Sequence, residues 1–455
     1  MSEPAGAGLS LSDNRAIRLQ VINLAWPVIA ETVLQTLVQV VSMALVGHLG
    51  AAAVTSIGLS MQPLNAVYGV FMGAGVGAAA VVARLVGSGN HREAGRASAQ
   101  AMVMSVALAG IAALLMFASS SSVVTWMGAE AAIVPESSRY LRVMMPGLFF
   151  MWVQTVLTGA LRGAGDMRTP MKVNIIVTVL NFTGNVLLVY GLFGFPALGV
   201  LGAGLATTIA RVTGGTMLLV TYLAGRTILT VHFPEDFAPD PGTISRVLRI
   251  GIPSALERLI MSGSQLFYAR MVASLGTISY AAHTIGLNAE SLSYMPSNGF
   301  STAATTLVGQ NLGADRPDIA EKSTYESFRM AAMFVGTMGV AFLLFPEAFM
   351  RIYTTDPEVI RLGAIYLRIM AFCQVHQSAG AVFTGALRGA GDTKFVMYVT
   401  AFSAWCLRLG VTYSLIFLAG TNVVGAWWGM SADTLFKAVT SVIWFRTGRW
   451  RKVSV

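Results

Sequence analysis

Long apolar runs broken by short polar connectors recur along the whole chain. Twelve of them approach or exceed the ~20 residues that cross a bilayer as helix. They lie at about 17–46, 53–81, 95–118, 136–160, 170–193, 199–224, 247–274, 280–307, 323–346, 360–386, 395–419 and 422–444. The pattern predicts an all-α integral membrane protein with twelve transmembrane helices. Runs 1 and 7 exceed a straight crossing, so tilt or protrusion is expected there. The polar start, MSEPAGAGLSLSDNR, lacks the basic-then-apolar layout of a signal peptide, so the first helix is expected to be retained.

The runs repeat. TGALRGAGD occurs at Thr158–Asp166 and again at Thr384–Asp392, 226 positions later. At the same offset Pro27 and Glu31 match Pro253 and Glu257, Leu49-Gly50 matches Leu275-Gly276, Tyr140-Leu141-Arg142 matches Tyr366-Leu367-Arg368, and Gly87 matches Gly313. A register kept this long marks an internal duplication. Two six-helix bundles are expected: an amino-terminal lobe at 1–224, a cytoplasmic linker at 225–246 and a carboxyl-terminal lobe at 247–455. Six crossings are an even number, so both halves enter from one face as parallel repeats around an axis along the membrane normal. Such bundles can enclose a cleft opened to either side by rocking. The glycines of the nonapeptide suit a tight turn and close helix approach. Its arginine and aspartate are placed to ion-pair across that turn.

Composition narrows the class. The 455 residues are 55% apolar and 11% charged, with mean hydropathy +0.66. Soluble domains carry about 25% charged residues, which excludes a soluble enzyme. Net charge is +9, but its distribution argues for membrane orientation rather than nucleic acid. Nearly all connector arginines and lysines lie on the side of the two termini, so both termini are expected to be cytoplasmic. Cys373 and Cys406 fall in apolar runs and behave as small hydrophobes.

Ionisable residues at bilayer depth are costly and mark candidate sites. Glu31 follows Pro27 by one turn, and Gln35, Gln39 and Ser42 continue its helical face. Asn181 and Asn185 share a face in run 5. This oxygen-bearing set suits a proton or a hard cation such as Na⁺, so a Na⁺ site near Glu31 stays open. In the second half, Glu257 follows Pro253, with Ser264 and Tyr268 further along its face. His283, Glu290 and Tyr294 line run 8, and His376 lies in run 10 between Gln374 and Gln377. These carboxylates are candidates for ion coupling or binding of cationic substrates. Arg408 and Asp433 stand nearly alone in apolar runs 11 and 12, and a structural ion pair would neutralise both. No Walker motif, paired metal-ligand spacing or Gly-x-Ser-x-Gly occurs. Neither catalysis nor a cofactor is expected, and uphill transport would draw on an H⁺ or Na⁺ gradient.

The chain resembles the multidrug and toxic compound extrusion (MATE) transporters, most closely the DNA-damage-inducible-protein-F-like prokaryotic branch. The likeness rests on the twelve runs in two halves, the paired TGALRGAGD turns, PALGVLGAGLATTIA, HTIGLNAESLSYMPSNGFSTAATTLVGQNLGA and WFRTGRW. It implies a V-shaped fold with a central cleft in a bacterial or archaeal cytoplasmic membrane. It further implies a secondary antiporter that exports cationic amphipathic drugs and toxins in exchange for H⁺ or Na⁺. The partners would be the bilayer and organic cations, and a monomer suffices. Members of this branch carry aspartates in spans 1 and 5, where this chain has Ser42 and Asn185, which passes that role to Glu31. Other branches place an acid one turn beyond Glu257, where Met261 stands, while Glu290 fits the ESL stretch directly. A flippase for lipid-linked sugars, or a metabolite exporter, is the alternative within this class, but carboxylates rather than cations dominate the candidate sites. An integral membrane enzyme would need a nucleophile or His/Asp constellation at one membrane face, and a passive channel would ignore gradients.

Overall fold

The structure, a computed structural model, describes residues 14–47, 51–127, 133–191, 194 and 196–453, without the side chains of 37, 39–63 and 66. The described residues are almost entirely helical, and no strand occurs among them. The helices are α1 (Asn14–Gly47), α2 (Ala51–Gly87), α3 (His91–Ala118), α4 (Ser120–Trp126), α5 (Val134–Gly163), α6 (Arg168–Tyr190) and α7 (Gly199–Leu223). They continue with α8 (Pro241–Ala273), α9 (Thr277–Gly313), α10 (Pro317–Leu344), α11 (Pro346–Arg351), α12 (Pro357–Gly389), α13 (Thr393–Phe402), α14 (Gly410–Tyr413) and α15 (Val423–Arg446). Two π-helical stretches, Ser403–Leu409 and Ser414–Leu418, join α13 and α14 into one crossing.

Among the described residues, nine helical stretches are long and apolar enough to cross a membrane. The other three expected crossings are α8, α9 and α15, which carry Glu257, Glu290 and Asp433. Short helices α4 and α11 fill connectors in which hydropathy predicts no element, and their starts, Ser120 and Pro346, keep the 226-residue offset. Helix ends follow local chemistry. Asn90 Oδ1 accepts the Glu93 amide at 3.2 Å, and Asp356 Oδ1 accepts the Glu358 and Val359 amides at 2.9 and 3.2 Å.

The chain packs as two compact units. One comprises Met1–Ile29, Gly87–Gly89 and Glu257–Val455; the other comprises Ala30–Val86 and Asn90–Leu256. Packing therefore divides the chain differently from the sequence lobes 1–224 and 247–455. The first half of α1 belongs with the second repeat: Arg18 Nε meets Glu326 at 2.8 Å, and Ile17, Val21 and Ala25 join a core with Phe300, Val382 and Phe383. The first half of α8 belongs with the first repeat, where a Cβ on Gly77 would strike the Val247 carbonyl. Both changes of unit fall within three residues after a proline, Pro27 or Pro253, where the lost backbone bond weakens helix continuity. The stretch after α7 is clamped to α3. Gln100 Nε2 donates to the Asp236 and Ala238 carbonyls at 2.7 Å, and its Oε1 accepts the Asp240 amide at 2.9 Å.

The nonapeptide acts through backbone proximity. A Cβ on Gly159 or Gly163 would collide with the α2 backbone at Gly75 or Ala79; one on Gly385 or Gly389 would collide with α9 at Ser301 or Thr305. Each pair of glycines is a small-xxx-small seam that brings two helices into near-backbone contact. The turn that follows needs Gly165 and Gly391, at φ of 92° and 89°. Gly163→Leu or Gly389→Leu should therefore cost about 3 kcal/mol or more by overpacking. Size-exclusion chromatography of a fluorescent fusion should lose its monodisperse peak in either variant. Gly336→Leu, which adds a side chain to open space on α10, should keep it.

Candidate functional site

The two conserved-offset glutamates occupy matching sites. Glu31, 6% exposed, accepts Arg162 Nη2 at 3.0 and 3.1 Å and Asn174 Nδ2 at 2.8 Å. Glu257 accepts Arg388 Nη2 at 2.7 Å and Thr400 Oγ1 at 3.2 Å. The sequence separations are 131 and 143 in both halves. Arg162 and Arg388 are the arginines of the two nonapeptides. They therefore reach the proline-bearing helices rather than the aspartates of their own turns. Asp166 Oδ1 instead accepts the Thr169 amide at 2.9 Å, and Asp392 Oδ2 accepts Trp444 Nε1 at 2.8 Å.

The described groups around Glu31 are hydrogen-bond donors rather than the oxygen ligands that Na⁺ takes. Arg162, Asn174 and the 3.5 Å contact from Gln35 Nε2 all present donors, and a guanidinium already balances the carboxylate. Among the described residues, no group of three or more His, Cys, Asp or Glu converges on one point. Gln35 is exposed. Gln39 and Ser42 lie on α1, but their side chains fall outside the described residues. Asn181 and Asn185 form a short file: Asn185 Nδ2 donates to Asn181 Oδ1 at 3.1 Å, and Asn181 Nδ2 to Thr207 Oγ1 at 2.9 Å.

Glu290 is held differently. It is 2% exposed, and the Tyr366 hydroxyl of α12 donates to its Oε2. No Lys, Arg or His forms an ion pair with it among the described residues. One turn along α9, Tyr294 is half-buried. Two turns back, the buried His283 ring lies edge-on to Tyr268 and Tyr366, at 5.4 and 6.0 Å between centroids. Ser293 Oγ donates to Gln374 Oε1 at 2.5 Å. His376, by contrast, is exposed and rests 3.2 Å from the Phe372 carbonyl of its own helix, away from the buried face that carries Gln374.

Arg408 Nη2 lies 2.5 Å from Asp433 Oδ2, and Lys437 Nζ lies 3.8 Å from Asp433 Oδ1. Arg408 sits in the first π-helical stretch, whose widened turn leaves carbonyls for other partners. Ser264 Oγ takes the Ala404 carbonyl at 2.8 Å, and a Cβ on Gly429 would come within 3.0 Å of the Arg408 carbonyl. The guanidinium also faces the Tyr268 ring at 6.0 Å. Glu290 and Arg408 thus flank one cluster of aromatic rings inside the same unit.

Sequence reasoning did not single out Tyr366, Arg211 or Lys437. The last two carried the signal that marked Arg408, a charge deep in an apolar run. Tyr366 carried only its match to Tyr140 in the repeat, because a tyrosine in an apolar run is otherwise ordinary.

The sequence model of the MatE family matches residues 27–187 and 253–414. The chain is 33% identical over 446 residues to a probable multidrug resistance protein NorM of Thermotoga maritima, covering 96% of this chain and 94% of that one. It is 24% identical over 429 residues to an uncharacterized transporter, YisQ, of Bacillus subtilis, covering 94% and 93%. A crystal structure of MATE in complex with MaD3S superposes over 100% of both chains, with TM-score 0.91 and 22% identity.

Removing one member of a buried ion pair strands the other, at a cost of about 3 kcal/mol or more, whereas apolar replacement of both is often neutral. Arg162→Met should therefore lower the thermal unfolding midpoint in detergent, and Glu31→Leu combined with Arg162→Met should recover most of the loss. An additive or larger loss in the double variant would show that the pair is not the stabilising unit.

Proposed function

The chain belongs to the MATE family of membrane transporters, and from that premise we propose that it is a secondary antiporter exporting amphipathic organic cations against an inward ion gradient. The observation that carries the coupling step is Glu290. It is a carboxylate buried inside an apolar helix bundle, held by a tyrosine hydroxyl and balanced by no ion pair among the described residues. Such a group binds a cation or a proton because neutralisation removes the cost of an isolated buried charge. Glu31 and Glu257 are balanced by Arg162 and Arg388 already and serve as structural ties. The proton is the favoured coupling ion. The Glu290 carboxylate, the Tyr366 hydroxyl and the Gln377 amide that also reaches it fall short of the six or so oxygens that a hard cation gathers. Protonation of Glu290 would alter its bond with Tyr366, and alternating access would follow from which form each state of the transporter favours.

The relatives' printed description as multidrug resistance proteins supports export of chemically varied compounds. The duplicated parallel repeat supports alternating access. The basic connectors support cytoplasmic termini in a bacterial or archaeal cytoplasmic membrane. A single chain is taken as the working unit.

The test is ethidium efflux from proteoliposomes, with a pH gradient and a Na⁺ gradient imposed separately. Efflux should follow the pH gradient, and Glu290→Gln should reduce it at least tenfold while leaving a monodisperse, membrane-inserted protein. Undiminished efflux in Glu290→Gln would remove Glu290 from the coupling step, and efflux under the Na⁺ gradient alone would replace the proton.

A further inference from the structure

Arg211 stands at the middle of α7. It lies on the buried face of that helix, in line with Gly204, Leu218 and Tyr222 at seven- and eleven-residue spacings, while Ile209, 55% exposed, points about 160° away. Its Nη1 is buried and makes no hydrogen bond, and no ion pair reaches it among the described residues. Among the described residues of the first half, no carboxylate pairs with it. No acid occurs between Glu31 and Glu93 or between Asp166 and Glu235. Glu31 is engaged by Arg162 and Asn174, and Glu136 is exposed in the first turn of α5.

The duplication supplies an internal control. At the 226-residue offset, Arg211 corresponds to Lys437 and Thr207 to Asp433. In the second half the cation has its acid one turn back on the same helix, Lys437 Nζ lying 3.8 Å from Asp433 Oδ1. In the first half the place of that acid belongs to Thr207, whose hydroxyl bonds to the Ala203 carbonyl and accepts from Asn181. The cation is present in both halves, and the acid, which in the second half is shared with Arg408, in one. An uncompensated guanidinium at membrane depth is costly, and it is relieved by an anion.

We propose that Arg211 is an anion anchor that takes a singly charged carboxylate borne by an amphipathic substrate. A guanidinium offers a planar fork matched to a carboxylate. The Tyr140 ring packs against Gly204, two turns before Arg211, and Gln154 Oε1 lies beside Gly214, one turn after it. An aromatic surface and a polar group therefore flank the charge. The assignment rests on the exporter reading and narrows it: the substrates include zwitterions as well as organic cations.

The test uses a matched pair of dyes on purified full-length protein in nanodiscs. Rhodamine 110 carries a free carboxylate, and rhodamine 123 is its methyl ester with the same cationic ring system. Fluorescence polarisation should show both bound by the parent. Arg211→Gln should weaken rhodamine 110 at least tenfold and rhodamine 123 less than threefold, and Arg211→Lys, which keeps the charge without the fork, should weaken rhodamine 110 by an intermediate factor. Thr207→Asp supplies the internal counter-charge of the second half without removing the arginine. It should weaken rhodamine 110 selectively in the same way, and it answers the question even where Arg211→Gln fails to fold. Equal effects on the two dyes, or none, would overturn the assignment while leaving the exporter reading intact. Unchanged dye binding together with a chloride-dependent rise in thermal stability that Arg211→Gln abolishes would make inorganic anion the ligand and overturn the substrate assignment. A parent that binds neither dye would overturn the exporter reading and this assignment with it.

Discussion

In each half of the chain a glutamate one turn beyond a proline meets an arginine 131 residues further on, inside a layer where neither charge is tolerated alone. The glycines that flank each arginine bring its helix against a neighbouring backbone, and the positive-φ glycine two residues later ends the helix in a tight turn. Close approach and charge neutralisation are therefore delivered by the same nine residues. This accounts for a whole stretch being written twice, rather than isolated positions within it.

The remaining membrane-depth charges are then the informative ones. Once Glu31–Arg162 and Glu257–Arg388 are set aside as balanced, the second repeat holds Arg408 and Lys437 against Asp433, with Glu290 bonded to Tyr366 nearby. The first repeat holds Arg211. The two halves share a scaffold but differ in charge, so their membrane-depth charges have diverged within a common frame. The π-helical stretch at Arg408 belongs to that divergence. It opens the backbone where Asp433 and Gly429 close on it.

Much of this was legible in the hydropathy pattern. Twelve runs, the even number per half and the 226-residue offset establish the architecture, because burial in a bilayer is decided residue by residue along each helix. The pairing of Glu31 was not legible. Its partner lies on another helix, and the nearer aspartate of the TGALRGAGD turn was the more obvious mate for Arg162. The division into packing units was equally hidden: 14–29 and 241–256 pack with the opposite repeats, which no local preference encodes. His376 and Glu290 looked alike as ionisable residues in apolar runs, and only burial separated them, exposed in one case and 2% in the other.

By itself, then, the sequence determined the number of membrane crossings, the duplication and which residues carry charge into the membrane, because these follow from composition and spacing within single helices. The tertiary structure decided which of those charges are already spent. Coulombic and hydrogen-bonding partners are set by which faces meet across separations of more than a hundred residues, and that is a property of packing rather than of any stretch of chain.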